Sequence, residues 1–237
     1  MQRNLFYIVC KRSIIFFINK LFKRTEIIDN LLSILNIKIK FNNLKNSKTF
    51  LEDNDLYKDL FSQFENKKIS LIEFGTYEGK SLKKFLSYNS HENSIFYGFD
   101  SFKGLPEYWI KGFPKGTFNL DGKVPKIKDK RANLIKGYFQ NTLPKFLAKT
   151  NIKRNLIVHF DADIYSSTLF CLLQLDNLKI SYFAIFDEFF PSEANALKTY
   201  IDITNAKVEI IAKTQNINAK VPRIVSCKII PSKTFCC

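Results

Sequence analysis

The sequence predicts an α/β protein, a doubly wound, mostly parallel sheet of seven strands that closes with a C-terminal antiparallel hairpin. Three observations carry this. From residue 68 onward short apolar runs alternate with amphipathic stretches, the pattern of parallel strands joined by crossover helices. The last two β-rich runs have no helical pattern between them, so they pair antiparallel. Finally, 237 residues with 46% hydrophobic side chains, 24 Phe and 10 Tyr supply one well-buried core and exclude a disordered chain or a disulfide-stapled miniprotein.

In chain order, KISLIEFG (68–75) reads as the first strand and KSLKKFLSY as the helix after it. SIFYGFD (94–100), NLIKGY (133–138) and NLIVHFD (155–161) follow as strands, with helical segments at 142–149 and 166–178. YFAIFDEF (182–189) is the fifth strand. SEANALKTYID then reads as a helix with Ser192 as its N-cap, and KVEIIAK and RIVSCKI form the hairpin. Residues 101–132, rich in Gly and Pro and holding the single tryptophan, Trp109, are too long for a plain connection in a compact domain. They read as an ordered lid over a ligand.

Residues 1–60 read as an N-terminal amphipathic helical region and 61–237 as the catalytic domain. In residues 11–35, Arg12, Asn19, Lys20, Lys23, Arg24 and Asn30 recur at helical spacing and leave Ile14, Phe17, Ile18, Leu21, Ile28 and Leu32 for another face. That face is suited to the domain, to a second copy of the chain as a homo-oligomer, or to the surface of a membrane. Lys11, Arg12 and Lys20 interrupt the apolar run, so neither a spanning helix nor a secretory signal is expected. A cytoplasmic protein, peripheral to a membrane at most, is the expectation.

The formal net charge of +15 comes from lysines scattered along the chain, a compositional bias and not a basic stripe, so nucleic acid is not the expected partner. Five cysteines without CxxC spacing argue against a disulfide framework or a zinc ribbon, and a tail without the full C-a-a-X pattern or an adjoining polybasic block argues against lipidation at Cys236 and Cys237. With only His91 and His159, imidazole-based zinc chemistry is poorly served. A metal here would lean on carboxylates.

The first strand ends in EFGTYEGKS. Read as a phosphate loop, GTYEGKS is one residue short of G-x-x-x-x-G-K-[ST] and carries acids, which suits a polyanion poorly. Read as a loop for S-adenosylmethionine (SAM), whose sulfonium and ammonium groups are cationic, the same Glu73 helps. Gly75 and Gly79 would let the cofactor approach the backbone, and Asp100, about 20 residues beyond Gly79 at the end of the second strand, would accept from ribose hydroxyls. A plain strand-to-helix turn is the blander reading of the two glycines.

EFGTYEGKS, GFDSFKGLPE (98–107), KGYFQNTLP (136–144) and VHFDADIYSST (158–168), in that order, resemble the TylF/macrocin-type O-methyltransferases, SAM-dependent enzymes with the Rossmann-like class I methyltransferase fold. The likeness covers residues 68–202. It implies methyl transfer to a hydroxyl of a sugar, glycan or glycosylated small molecule, with SAM held by Glu73, Gly75, Tyr77, Gly79, Ser81, Asp100 and Ser101. It also implies a magnesium ion (Mg2+) held by Asp161, Asp187 and Glu188. Glu188 departs from the second aspartate usual there.

The residues support such chemistry on their own account. Asp161, Asp163, Asp187 and Glu188 fall at the ends of adjacent strands, where a cation among them would relieve their repulsion. A divalent ion would lower the pKa of an alcohol and align it. Asp163 or His159 could serve as general base. Against these stand a buried strand histidine for His159 and an N-cap for Asp163. Two other functions compete: a P-loop-like nucleotide hydrolase, and a methyltransferase-fold binding protein without catalysis.

Overall fold

The computed structural model describes residues 35–37, 39–152, 155–215 and 221–233. The chain divides into two compact units, 1–42 and 43–237, and everything below concerns the second. The amphipathic segment 11–35, but for Leu35, lies outside the described residues, as do Cys236 and Cys237. No helix among the described residues is long and apolar enough to cross a membrane.

The second unit is built on one mixed sheet. Its strands are β1 (Lys48–Phe50), β2 (Ser70–Phe74), β3 (Ile95–Asp100), β4 (Ala132–Lys136), β5 (Leu156–Phe160), β6 (Tyr182–Phe186), β7 (Lys207–Gln215) and β8 (Pro222–Ile230). The spatial order is β1-β7-β8-β6-β5-β2-β3-β4. All pairings are parallel except β6 with β8 and β7 with β8. The doubly wound sheet and its closing hairpin are as the sequence predicts, but among the described residues the sheet has eight strands and not seven. The additional one, β1, is three residues long and lies at the edge beside β7, too short for an alternation to announce it.

Helices α1 (Asp53–Ser62), α2 (Lys80–Tyr88), α3 (Phe139–Lys149), α4 (Tyr165–Asp176) and α5 (Ala194–Thr204) complete the unit. On α1 the buried Leu56, Tyr57, Leu60 and Phe61 form one stripe, the pattern that docks a helix on a sheet. They join Phe85 of α2 and Leu71, Phe96, Ile157 and Ile185 of the sheet in one core. The sequence boundary near residue 60 therefore falls inside a helix of this core. Helix α3 begins earlier than predicted, at Phe139, with Pro144 inside it. Ser192 does not cap α5: a wide turn over Phe189–Glu193 precedes that helix, and no side chain caps its start.

Strand β5, LIVHF, is buried at every position, as expected of a central strand covered on both faces. At the carboxyl ends of the four central strands the register aligns Phe99, Phe74, Phe160 and Phe186 side by side. Phe160 and Phe186 stack at 4.7 Å between ring centroids, and Phe74 lies 5.7 Å from Phe160 and 5.5 Å from Phe99. All four are fully buried, each burial favourable by about 1.5–3 kcal/mol. Side chains alternate along a strand, so the residues one step earlier, among them Glu73 and His159, point to the opposite face.

Candidate active site

Beyond the carboxyl ends of β2, β3, β5 and β6 lies a cavity of about 340 Å³. The chain leaves β2 toward β3 on one side and β5 toward β6 on the other, so the cavity sits at the switch point where open α/β sheets bind ligands. Each strand contributes the residues that follow it: Gly75 and Tyr77, Asp100 and Ser101, Asp161 and Asp163, Asp187 and Glu188 all line the wall.

The loop after β2 is held by backbone geometry. Gly75 has φ +95°, and a Cβ there would stand 1.7 Å from the carbonyl oxygen of Asp161. Its glycine is therefore required by contact with the end of β5, and not only by a ligand's approach. Tyr77, also at positive φ (46°), donates its amide to Asp100 Oδ2 at 2.7 Å, while the Phe102 amide donates to Oδ1 at 2.6 Å. Two amides thus aim the Asp100 carboxylate, and each oxygen keeps a lone pair for a ligand hydroxyl. Burial pushes the Asp100 pKa up against the pull of those amides. Ser101 Oγ accepts from the Lys103 amide at 3.0 Å.

Three residues expected at the cofactor lie off the cavity wall. Gly79 opens α2 at φ +72° with Ile127 and Pro125 nearest to it, and Ser81 sits in the first turn of that helix. Glu73 is wholly buried and faces His159 Nδ1 at 3.1 Å, because the two residues are register partners on adjacent strands. The phosphate-loop reading lacks its lysine: Lys80 is exposed and paired with Glu78 at 2.6 Å.

His159 is the buried strand histidine, off the cavity wall. Its Nε2 lies 3.8 Å from Asp187 Oδ1, and Tyr57 and Phe85 present ring edges to it. Burial alone would strip its proton, but Asp187 and Glu73 on either side outweigh that and push its pKa up to about 10. A general base works best with a pKa near the operating pH, and the surroundings of His159 push it away from that range.

Asp163 is one of the acids at the strand ends that line the cavity. It sits at φ +60° and lines the wall, while α4 begins on Ile164 without any side-chain cap, so the N-cap alternative falls away. Burial, then Glu188, Asp187 and Asp100, push its pKa up to about 7. Burial and the neighbouring Asp187 likewise push Asp161 up. Glu193 is wholly buried, and neither of its carboxyl oxygens has a hydrogen-bond partner among the described residues. Burial, then the neighbouring Asp161, Asp187 and Asp163, push its pKa well up.

Two of the three expected metal ligands, Asp187 and Glu188, are already engaged. Tyr57 donates to Asp187 Oδ1 at 2.8 Å, and Arg223 Nη1 lies 3.4 Å from both Asp187 Oδ2 and Glu188 Oε1. Arg223 Nη2 pairs in turn with Asp53 at the start of α1. Among the described residues no three His, Cys, Asp or Glu side chains are disposed to hold a metal. A magnesium ion on Asp161, Asp187 and Glu188 is therefore not supported, since Tyr57 and Arg223 hold two of the three carboxylates. Tyr57 and Arg223 went unnoticed in the sequence, where one belongs to an ordinary helix and the other to a β-rich run.

The long connection after β3 forms the remaining wall. Leu105 and Thr117 exchange backbone contacts through Leu105 N to Thr117 O at 2.8 Å, and Gly116 N donates to Leu105 O at 2.9 Å. The segment presents Trp109, Phe113 and Phe118 to the cavity, with Phe118 edge-on to Tyr77 at 5.6 Å. Ser166 on α4 donates to Glu107 at 2.7 Å and ties this segment to the opposite rim.

The structure is similar to the crystal structure of CalS11, a calicheamicin methyltransferase, with 21% identity over 78% of this chain and 82% of that one, at a TM-score of 0.52. It is similar also to the O-methyltransferase NovP, with 19% identity over 73% and 76% of the two chains and a TM-score of 0.50. The chain thus has the fold of these methyltransferases. No family model matches the sequence, and no curated protein matches it.

Proposed function

We propose that the chain is a SAM-dependent O-methyltransferase of the TylF/macrocin type, acting on a hydroxyl of a sugar, glycan or glycosylated small molecule. The observation that carries this is the Asp100 carboxylate, aimed by two backbone amides at the rim of an acidic and aromatic cavity at the switch point of the sheet. The four sequence motifs and the shared fold support it. A cavity of about 340 Å³ falls in the ~300–1,000 Å³ range of small-molecule sites.

In this reading Asp100 accepts from the ribose hydroxyls and the aromatic segment around Trp109 covers the acceptor. Carboxylates that are costly to ionise alone become less so beside a cationic cofactor, which suits Asp161 to the charged end of SAM. Asp163 takes the proton of the acceptor hydroxyl as the oxygen attacks the sulfonium methyl. The carbon–sulfur bond breaks, leaving a methyl ether and a neutral thioether. A base with a pKa of about 7 is near the optimum for work at neutral pH.

Calorimetric titration with SAM, and separately with ATP, tests the cofactor. Incubation with SAM and a panel of glycosides, read by mass spectrometry for the gain of one CH2, tests the transfer. Binding of ATP in place of SAM would overturn the reading.

A further inference from the structure

We propose that Arg223 is the resident cation of this site, a positioning residue that holds Asp187 and Glu188 where a divalent ion would otherwise be needed, so that the transfer is metal-independent. The proposal rests on the methyl-transfer reading above.

The placement follows from strand pairing. Strand β8 runs antiparallel beside β6 with Phe186 opposite Val225. Continued one step past the end of β6, that register sets Asp187 opposite Ile224, and the next step sets Glu188 opposite Arg223. The long side chain of Arg223 reaches the two carboxylates from there. One nitrogen, Nη1, lies 3.4 Å from each of them, while Nη2 is anchored on Asp53.

A guanidinium offers five donors in a fixed plane and keeps its charge. It can therefore bridge three carboxylates from two distant segments: Asp53 at the start of α1, and Asp187 and Glu188 just past the end of β6. A magnesium ion bridging Asp187 and Glu188 would need their oxygens at about 2.0–2.1 Å, and would meet the fixed positive charge of Nη1 3.4 Å from both carboxylates. Tyr57 takes the other Asp187 oxygen. Arg223 is absent from the cavity wall while Asp187 and Glu188 belong to it. It thus acts on substrate only through them.

Manganese(II) resonance tests occupancy independently of turnover. The wild-type chain is expected to leave the free-ion Mn2+ signal unchanged at equimolar concentration, and to methylate equally well with and without EDTA. Arg223→Ala, shown folded by circular dichroism, should bind SAM as wild type but turn over about 10- to 100-fold more slowly, the scale of losing hydrogen bonds between charged groups. Arg223→Lys should recover part of that loss. One Mn2+ bound per chain and released by Asp187→Asn would overturn the proposal. So would turnover lost in EDTA and restored by Mg2+, or Arg223→Ala at the wild-type rate. If Arg223→Ala does not fold, the Mn2+ measurement on the wild type still decides. Failure of SAM to bind would remove the methyl-transfer reading and leave the Mn2+ result standing by itself.

Discussion

Tyr57 donates its hydroxyl hydrogen to Asp187 at 2.8 Å across 130 residues of sequence, and so joins the first helix of the domain to the acidic wall of the cavity. A hydrogen bond to a charged group contributes about 1.5–3 kcal/mol. Tyr57→Phe should lower stability by that amount in chemical denaturation while leaving the packing against Phe85 and His159 intact. An unchanged midpoint would show that the Tyr57 hydroxyl adds nothing beyond what Arg223 and His159 already give Asp187.

His159 is expected to carry protons on both ring nitrogens at pH 8, which nitrogen-15 NMR would read directly; titration near 6.5 would refute the charged pair. Its folded pKa of about 10 exceeds the ~6.5 of an unfolded chain. The stability it contributes is thus fully present below ~6.5 and lost as pH rises through about 10. His159→Phe leaves Glu73 and Asp187 without their shared cation and should cost about 3–5 kcal/mol.

Asp163 sets the pH dependence of the proposed reaction. A base must be ionised, so turnover should rise through pH 7, and Asp163→Asn should abolish both the limb and most of the rate. The effect on stability has the opposite sense. The folded pKa of about 7 stands above the ~3.9 of an unfolded chain, so its contribution is full below ~3.9 and disappears as pH rises through 7. Asp163→Asn should flatten that decline; a wild-type pH profile in the variant would rule out Asp163 as base.

Gly75→Ala should fail in the fold before it fails in binding. The new Cβ would overlap the Asp161 carbonyl and would require φ +95° of an alanine, so a loss of at least about 1–3 kcal/mol is expected. Differential scanning calorimetry of the apoprotein measures it. An unchanged melting temperature with lost SAM affinity would restore the simpler view that the side chain blocks the cofactor.

The sheet was largely legible because buried parallel strands read as apolar runs, as in LIVHF, and the acid ending β3 marks the switch point. What could not be read depends on pairings that local sequence does not encode. Glu73 looked like a cofactor ligand because it precedes the glycine loop, but side-chain alternation turns it to the face opposite Phe74, onto His159. Arg223 belongs to a run whose partner is fixed only once β8 inserts between β6 and β7. The acids of the cavity were legible one by one as strand-end residues. The hydrogen bond of Tyr57 to Asp187 and the charge of Arg223 beside Asp187 and Glu188 were not, since they join positions from both ends of the domain.

Phe99, Phe74, Phe160 and Phe186 give one ring each from four strands drawn from residues 70–186. A floor assembled from such distant parts closes only after long loops have been ordered, the slow class of folding event. A nascent chain that has emerged only as far as β5 therefore lacks Phe186 of the floor and Asp187 and Glu188 of the wall. The amides of these strands should exchange with solvent only when the whole domain opens, so that ligand added to the folded protein would slow exchange in the aromatic loop after β3 far more than in the sheet beneath it.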